Sequence, residues 1–246
     1  MKRSFRGFLY DIGREVIKMN KELLRKIKRF CRNIITASIS RILTRPVSRR
    51  FGFDRGLPID RAYIEDFLEK HRDVITGNVL EIAANDYTLK FAHEPFSSHV
   101  LHVMSGNPNA TLVGNLETGE NIPADYFDCM VITQTLAFVF DMHGFLRNCH
   151  RALKPGGVLL LTNPSISPVS RYDMDRWGDY WRFTDLSMKK LLELYFPPEK
   201  IEVVSYGNYY AAAAYLSGKA VEEIRRSRLF PADPDYPVNI CAAARK

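Results

Sequence analysis

The stretch Val79-Leu80-Glu81-Ile82-Ala83-Ala84-Asn85-Asp86-Tyr87-Thr88 decides how the rest of the chain is read. Residues 79–82 form a short apolar run, admitted by the turn at Gly77-Asn78, and read as a buried strand. Glu81 interrupts the run with a carboxylate, which is costly there unless a cation or hydrogen-bond donors meet it. Small residues follow where the chain must turn over the strand end, and Tyr87-Thr88-Leu89-Lys90-Phe91 can begin a helix. In open α/β sheets, ligands lie at the carboxyl ends of strands beside such turns. Two readings stand at this point: a buried strand with one paired acid, or the ligand-binding end of a sheet.

The flanking sequence extends the pattern. Asp60 is placed to cap a helix over residues 61–74, with Tyr63, Ile64, Phe67 and Leu68 on one face. Residues 99–103 and 110–113 read as a second and third strand, and residues 128–133 as a fourth. A helix then runs to about residue 153. Leu153-Lys154-Pro155-Gly156-Gly157 stops it, and the β-rich run 158–162 makes a fifth strand. Strands alternating with helices imply right-handed β-α-β units and a parallel sheet. Residues 201–206 and 238–243 are later strands, separated by a helix over 209–226.

A chain of 246 residues, 46% of them hydrophobic, suits one α/β domain with an appendage. Its net charge of +7 hides an asymmetry. Residues 1–50 hold 15 Lys/Arg against Asp11, Glu15 and Glu22, a net +12, while the remaining 20 basic and 25 acidic groups carry −5. Within 1–50, Leu9, Ile12, Val16, Leu23, Ile27 and Ile34 form one helical stripe among lysines and arginines. Such a basic amphipathic arm can lie on an anionic membrane, pack on its own domain or a partner, or follow a phosphate backbone. The rest of the chain is acidic, so nucleic acid ranks last among these. The four cysteines are scattered, without metal-ligand spacing, which points to a reducing compartment and to no structural metal. The chain therefore reads as cytoplasmic, with the arm available for peripheral contact with the inner face of a membrane.

Four features together resemble the class I S-adenosylmethionine-dependent methyltransferases of the type 11 group. They are the strand ending in Glu81, the Phe127-Asp128 entry to the fourth strand, the Lys154-Pro155-Gly156-Gly157 turn, and Tyr180-Trp181-Arg182-Phe183-Thr184. The resemblance covers residues 51–246 and implies a Rossmann-like sheet of seven mostly parallel strands, preceded here by the helical arm. It implies S-adenosylmethionine as cofactor, at a site that includes Glu81. The methionine part falls against Ala83, Ala84 and Asn85, and the ribose near Met104. The adenine falls near Asn115 and Leu116, and the sulfonium side near Thr133 and Gln134. The chain departs from the family in having Ala83 where glycine is common and Met104 where an acid commonly holds the ribose. Ser105 or Asn107 could stand in for that acid, and Asn115 offers a carbonyl to the adenine amino group.

Methyl transfer requires an acceptor held in line with the sulfonium methyl, and a hydroxyl acceptor gains from a nearby base. Residues 170–182 hold three acids, three arginines and four aromatics, an unusual density for a connection. Aromatic faces suit a sugar, and Arg with Asp can orient hydroxyls. Asp173 and Asp175 are the candidate bases, with His143 a third. The bland alternative for this stretch is an ion-paired lid whose aromatics pack on the sheet. The sequence thus points to O-methylation of a small-molecule, sugar or glycan-type acceptor near a membrane surface. Ala83 and Met104 motivate the rival, a methyltransferase-fold binding protein with weakened catalysis.

Overall fold

The computed structural model describes residues 44–246, so the arm expected for residues 1–50 lies almost wholly outside the described residues. The compact unit considered below runs from Val47 to Lys246.

Seven strands form one sheet: β1 (Gly77–Ile82), β2 (Phe96–His102), β3 (Leu112–Val113), β4 (Phe127–Thr133), β5 (Leu153–Pro164), β6 (Ile201–Tyr206) and β7 (Asn239–Arg245). Their order is β3-β2-β1-β4-β5-β7-β6. All pairs are parallel except those of β7, which runs antiparallel to β5 and β6. The sequence expectation of a mostly parallel seven-stranded sheet is met. The order reverses between β1 and β4, and a crevice opens at such a reversal because the connections leave toward opposite faces.

Alternation along each strand feeds two cores. Leu80, Met130, Ile132, Leu159 and Leu161 face one side, where they meet Leu146 of α3 (Met142–Ala152) and Met188 of α5 (Asp185–Leu192). Val79, Cys129, Val131, Val158 and Leu160 face the other, against Tyr63, Ile64 and Phe67 of α1 (Ile59–Lys70). Neighbouring residues of a strand point to opposite faces, so a sheet covered on both sides needs apolar residues at consecutive positions. That explains the unbroken apolar runs of β4 and β5.

Two features of the family resemblance acquire a physical role. The Asp128 carboxylate accepts the Asn78 N–H at 2.8 Å and the Lys154 ammonium at 2.7 Å. It ties the starts of β1, β4 and β5 together. Partial burial alone raises an acid, but the Lys154 and Asn78 donors hold Asp128 below the usual carboxylate range.

Three expectations need correction. The first helix starts at Ile59 with Pro58 as its N-cap, so Asp60 sits inside the first turn, buried, and makes no cap bond. The second strand ends at His102, one residue earlier than expected, because pairing with β3 stops at His102–Val113. The helix expected over 209–226 stops after about two turns, as α6 (Tyr209–Leu216). Gly218 ends it at φ 76°, with its N–H donating to Tyr215 O at 2.8 Å and the Lys219 N–H donating to Ala214 O at 3.1 Å. This is a Schellman cap, which needs a residue at ease in the left-handed region.

A Cβ on Gly218 would also lie 2.2 Å from the Ser48 carbonyl oxygen. Gly218→Ala is therefore expected to destabilise the domain by at least about 1–2 kcal/mol from the left-handed backbone alone. Urea unfolding of the variant against the parent checks this.

Candidate functional site

The Glu81 carboxylate is 4% exposed at the end of β1. Its Oε2 accepts the Thr88 N–H and the Thr88 hydroxyl, both at 2.8 Å, and its Oε1 accepts the Tyr87 N–H at 3.3 Å. Those donors belong to the first turn of α2 (Asp86–Phe91), whose N-terminal amides have no partner within the helix. The acid flagged by the sequence is thus met by a helix N-terminus rather than by a cation. Burial nevertheless pushes Glu81 above its usual range, partly offset by the Thr88 and Tyr87 donors.

Clamping α2 to β1 forces the chain between them into a tight turn. Ala83 stands there at φ 66°, a left-handed conformation that favours glycine. Its N–H donates to Leu101 O at 2.9 Å, and its carbonyl accepts the Asn107 side-chain amide at 2.8 Å. Asn107 therefore ties the loops after β1 and β2 together, and its amide is committed to that task. Asn85, the polar side chain of the turn, donates to the Ser98 hydroxyl at 3.0 Å.

Over the ends of β1 and β4 lies a cavity of about 910 Å³, within the range of ordinary ligand sites. Of the residues singled out from the sequence, Glu81, Ala83, Ala84, Asn115, Leu116, Thr133, Gln134 and Asp173 line it. Gln134, itself at φ 51°, turns its amide onto Asn239 at 3.2 Å.

Asn85, Met104, Asp175 and His143 are not among the lining residues. Asn85 is held by Ser98, and Met104 is 53% exposed beyond the end of β2, leaving His102 and Val103 at the wall. Asp175 follows the single turn α4 (Arg171–Met174) on its exposed side, whereas Asp173 turns inward. His143 sits on the exposed face of α3, with Nδ1 2.9 Å from the Tyr195 hydroxyl. Asn115 lines the cavity, but its carbonyl already accepts the Glu117 N–H at 2.8 Å in a local turn. Among the described residues, no group of three His, Cys, Asp or Glu is placed to hold a metal.

Residues 165–184 close one side of the cavity. Asp179, with its side chain 1% exposed, takes Arg182 at 2.5 and 3.0 Å and the Ser170 N–H at 2.9 Å. Burial would raise this acid, but the Arg182 guanidinium and the Ser170 N–H hold it below its usual range. Trp181 donates to Val139 O at 2.9 Å, and Phe183 is 5% exposed. The ion-paired lid reading therefore describes Asp179, Trp181, Arg182 and Phe183. Asp173, Arg176 and Trp177 face the cavity, and Trp177 meets His102 edge-on across its mouth at 6.2 Å.

The sequence reading missed the opposite wall, where Phe51, Phe53, Asp60, Arg61 and Tyr215 also line the cavity. Asp60-Arg61 carried a signal in the sequence, an adjacent acid and base at a helix start, but a helix cap accounted for it equally well.

Comparison with known proteins follows this geometry. Residues 67–161, from the end of α1 into β5, match the family described as Methyltransferase domain. The ubiquinone/menaquinone biosynthesis C-methyltransferase UbiE of Proteus mirabilis is 35% identical over 107 residues, 39% of this chain and 38% of that protein. Its counterpart in Klebsiella pneumoniae is 37% identical over 108 residues, 40% and 39% of the two chains. The match thus spans about two fifths of the length of these relatives. An S-adenosylmethionine-dependent methyltransferase structure from Mesorhizobium loti superposes at TM-score 0.51 and 16% identity, covering 76% of this chain and all of that one. One from Archaeoglobus fulgidus gives TM-score 0.50 at 14% identity, covering 76% and 94%. The [4+2]-cyclase SpnF also superposes, at TM-score 0.51 and 16% identity, covering 78% and 84%. Residues 67–161 are thus similar to the methyltransferase domain family, and the fold is the one seen in these S-adenosylmethionine-dependent methyltransferase structures.

The Glu81 clamp gives a direct test. Thr88 is fully buried, and Thr88→Val removes one donor from the ionised carboxylate. The variant is expected to lose about 1.5–3 kcal/mol of stability at about pH 8. Because Glu81 titrates above its ordinary value of 4.5, the loss should shrink as pH falls through the folded-state value, where the charged form is no longer there to be stabilised. Urea unfolding of both proteins across pH reads the difference.

Proposed function

We propose that this chain binds S-adenosylmethionine in the strand-end cavity and transfers its methyl group to a hydroxyl of a sugar or glycan-type acceptor. The observation that carries the reading is the cavity itself. It sits where the strand order reverses, with Ala83, Ala84, Thr133 and Gln134 on one side and the acid-, arginine- and aromatic-rich loop on the other. Bound there, the cofactor supplies an activated methyl group as a sulfonium. The chain's own task is to orient the acceptor and exclude water. Trp177 offers a flat face at the mouth, and Arg176 and Asp173 offer donors and an acceptor for hydroxyls. Ser170 holds Asp173 in place, with its hydroxyl 2.5 Å from Oδ2.

The family match ends at residue 161, ahead of the loop at 165–184. The acceptor is therefore argued from this chain's residues and not from the quinone C-methylation in the relatives' names. The basic charge of residues 1–50 favours an acceptor carried at an anionic membrane surface. No helix among the described residues is long and apolar enough to cross a membrane. Binding of the full chain to vesicles containing phosphatidylglycerol, abolished by high salt and absent with phosphatidylcholine alone, is the expected sign of such contact.

A second reading, a methyltransferase-fold protein that binds without catalysing, is favoured by Ala83. Its methyl stands in a left-handed turn at the cavity wall, and no acid faces the cavity from the residue after β2.

Calorimetric titration with S-adenosylmethionine and S-adenosylhomocysteine separates the readings. Micromolar binding is expected, and Ala83→Gly should tighten it by removing the methyl from the wall. Its melting temperature should hardly change. Relief of the left-handed alanine, about 1 kcal/mol, is offset by glycine's larger entropy loss on folding, about 0.5–1 kcal/mol. No binding at millimolar ligand by either protein would sink the methyltransferase reading.

A further inference from the structure

The mouth of the strand-end cavity is bordered by large apolar side chains that the fold leaves exposed. Phe53, Val103 and Trp177 are exposed and line the cavity directly. Met104 follows Val103 in the loop after β2 and is exposed as well. Phe140 follows the lining residue Val139 and packs edge-on against Tyr180 at 5.3 Å. Tyr172, on α4, lies under the Arg176 guanidinium, 3.7 Å from its ring centre. These side chains come from four separate segments: the turn at 51–55, the loop after β2, the approach to α3, and the lid. Single exposed apolar residues are ordinary, but a group gathered around one opening marks a contact surface.

Composition narrows what that surface meets. Tyrosine and tryptophan have an apolar body and a polar edge, and the stem of an arginine is apolar as far as its charged head. Such side chains suit the level of a bilayer where headgroups meet acyl chains, with one end dry and the other wet. Charge on this face does not supply the attraction. Asp86 and Asp175 are exposed there as well as Arg171 and Arg176, and the cavity lining holds more acids than bases. An acidic border keeps the contact shallow, and the pull toward an anionic surface comes from the net +12 of residues 1–50. A protein partner would account for the apolar rim but would leave that basic segment without a role.

We propose that this rim is a membrane-docking face, in which Phe53, Phe140, Tyr172 and Trp177 enter the headgroup level of an anionic bilayer. This rests on the membrane contact put forward under the proposed function, and adds which face of the domain is turned to the lipid. The cavity then opens at the surface of the bilayer. It admits an acceptor whose polar end stands among the headgroups while its apolar anchor stays in the membrane, which makes the acceptor class a lipid-anchored one.

The chain has two tryptophans, Trp177 and Trp181, so its fluorescence can report the contact. The full chain is mixed at low salt with vesicles of phosphatidylglycerol and phosphatidylcholine, the latter with plain or brominated acyl chains. Brominated lipid is expected to quench the bound protein, and Trp177→Phe should lose most of that quenching. Phe53→Ser and Phe140→Ser should each weaken vesicle partitioning about three- to tenfold, through the apolar area withdrawn from the bilayer. Leu194 is 62% exposed against 66% for Phe140 but does not line the cavity, and Leu194→Ser should leave partitioning unchanged. Melting temperatures confirm that the variants are folded. Vesicle binding without quenching, or with Phe53→Ser and Phe140→Ser no weaker than Leu194→Ser, would overturn the proposal and leave docking to residues 1–50 alone. Self-association that Phe140→Ser abolishes, with no lipid quenching, would assign the rim to a second copy of the chain and overturn it too. Failure of the parent to bind any vesicle defeats the membrane contact itself, and the methyltransferase reading stands apart from that result.

Discussion

The structure of the site depends on one buried carboxylate meeting one helix N-terminus. Glu81 cannot be left without donors at the end of β1, and α2 begins with amides that have no partners of their own. Each satisfies the other, and the chain between them has no freedom beyond a tight turn. That turn puts Ala83 in a left-handed conformation and turns the Asn85 amide onto Ser98, while Asp86 at the start of α2 lines the cavity. At Ala83 and Ala84 the wall is therefore smooth and close to backbone, which suits a ligand packed against it.

The two flanks of the cavity answer that constraint differently. On the lid side, Asp179 and Arg182 satisfy each other, and the charge there is structural. On the α1 side, Asp60 and Arg61 stand near each other without a hydrogen bond. Two acids of the same residue type thus border one pocket, one held by a guanidinium at hydrogen-bond distance and the other not. The difference lies in their neighbours: Asp179 has a guanidinium that reaches it twice, whereas the Arg61 Nε stands 3.9 Å from Asp60.

Much of the fold was legible because its signals are local. Consecutive apolar residues mark strands covered on both faces, and the Lys154-Pro155-Gly156-Gly157 turn marks a helix stop and strand start. Both hold in the sheet, where Lys154 also reaches Asp128. The lining of the cavity was legible where backbone position alone decides it, as for Ala83, Ala84, Thr133 and Gln134 at strand ends. It was not legible where a side chain had a choice of partners. Asn85 and Asn107 both carry the right chemistry for a ligand, but each is used to brace a loop. Asp60 looked like a helix cap because acid-before-helix has that meaning in most contexts. Pro58 took the cap position instead and turned the acid inward.

The sequence by itself determined the parallel sheet, the strand end at Glu81 where the cavity lies, and the separation of basic charge in residues 1–50 from an acidic remainder. These follow from periodicity, turn chemistry and charge, which act over a few residues. Only the tertiary structure decided which acids are spent and which are open. That outcome depends on contacts between residues far apart in the chain, such as Asp60 with Asn239 and Arg61 with Tyr87, and no local pattern encodes them.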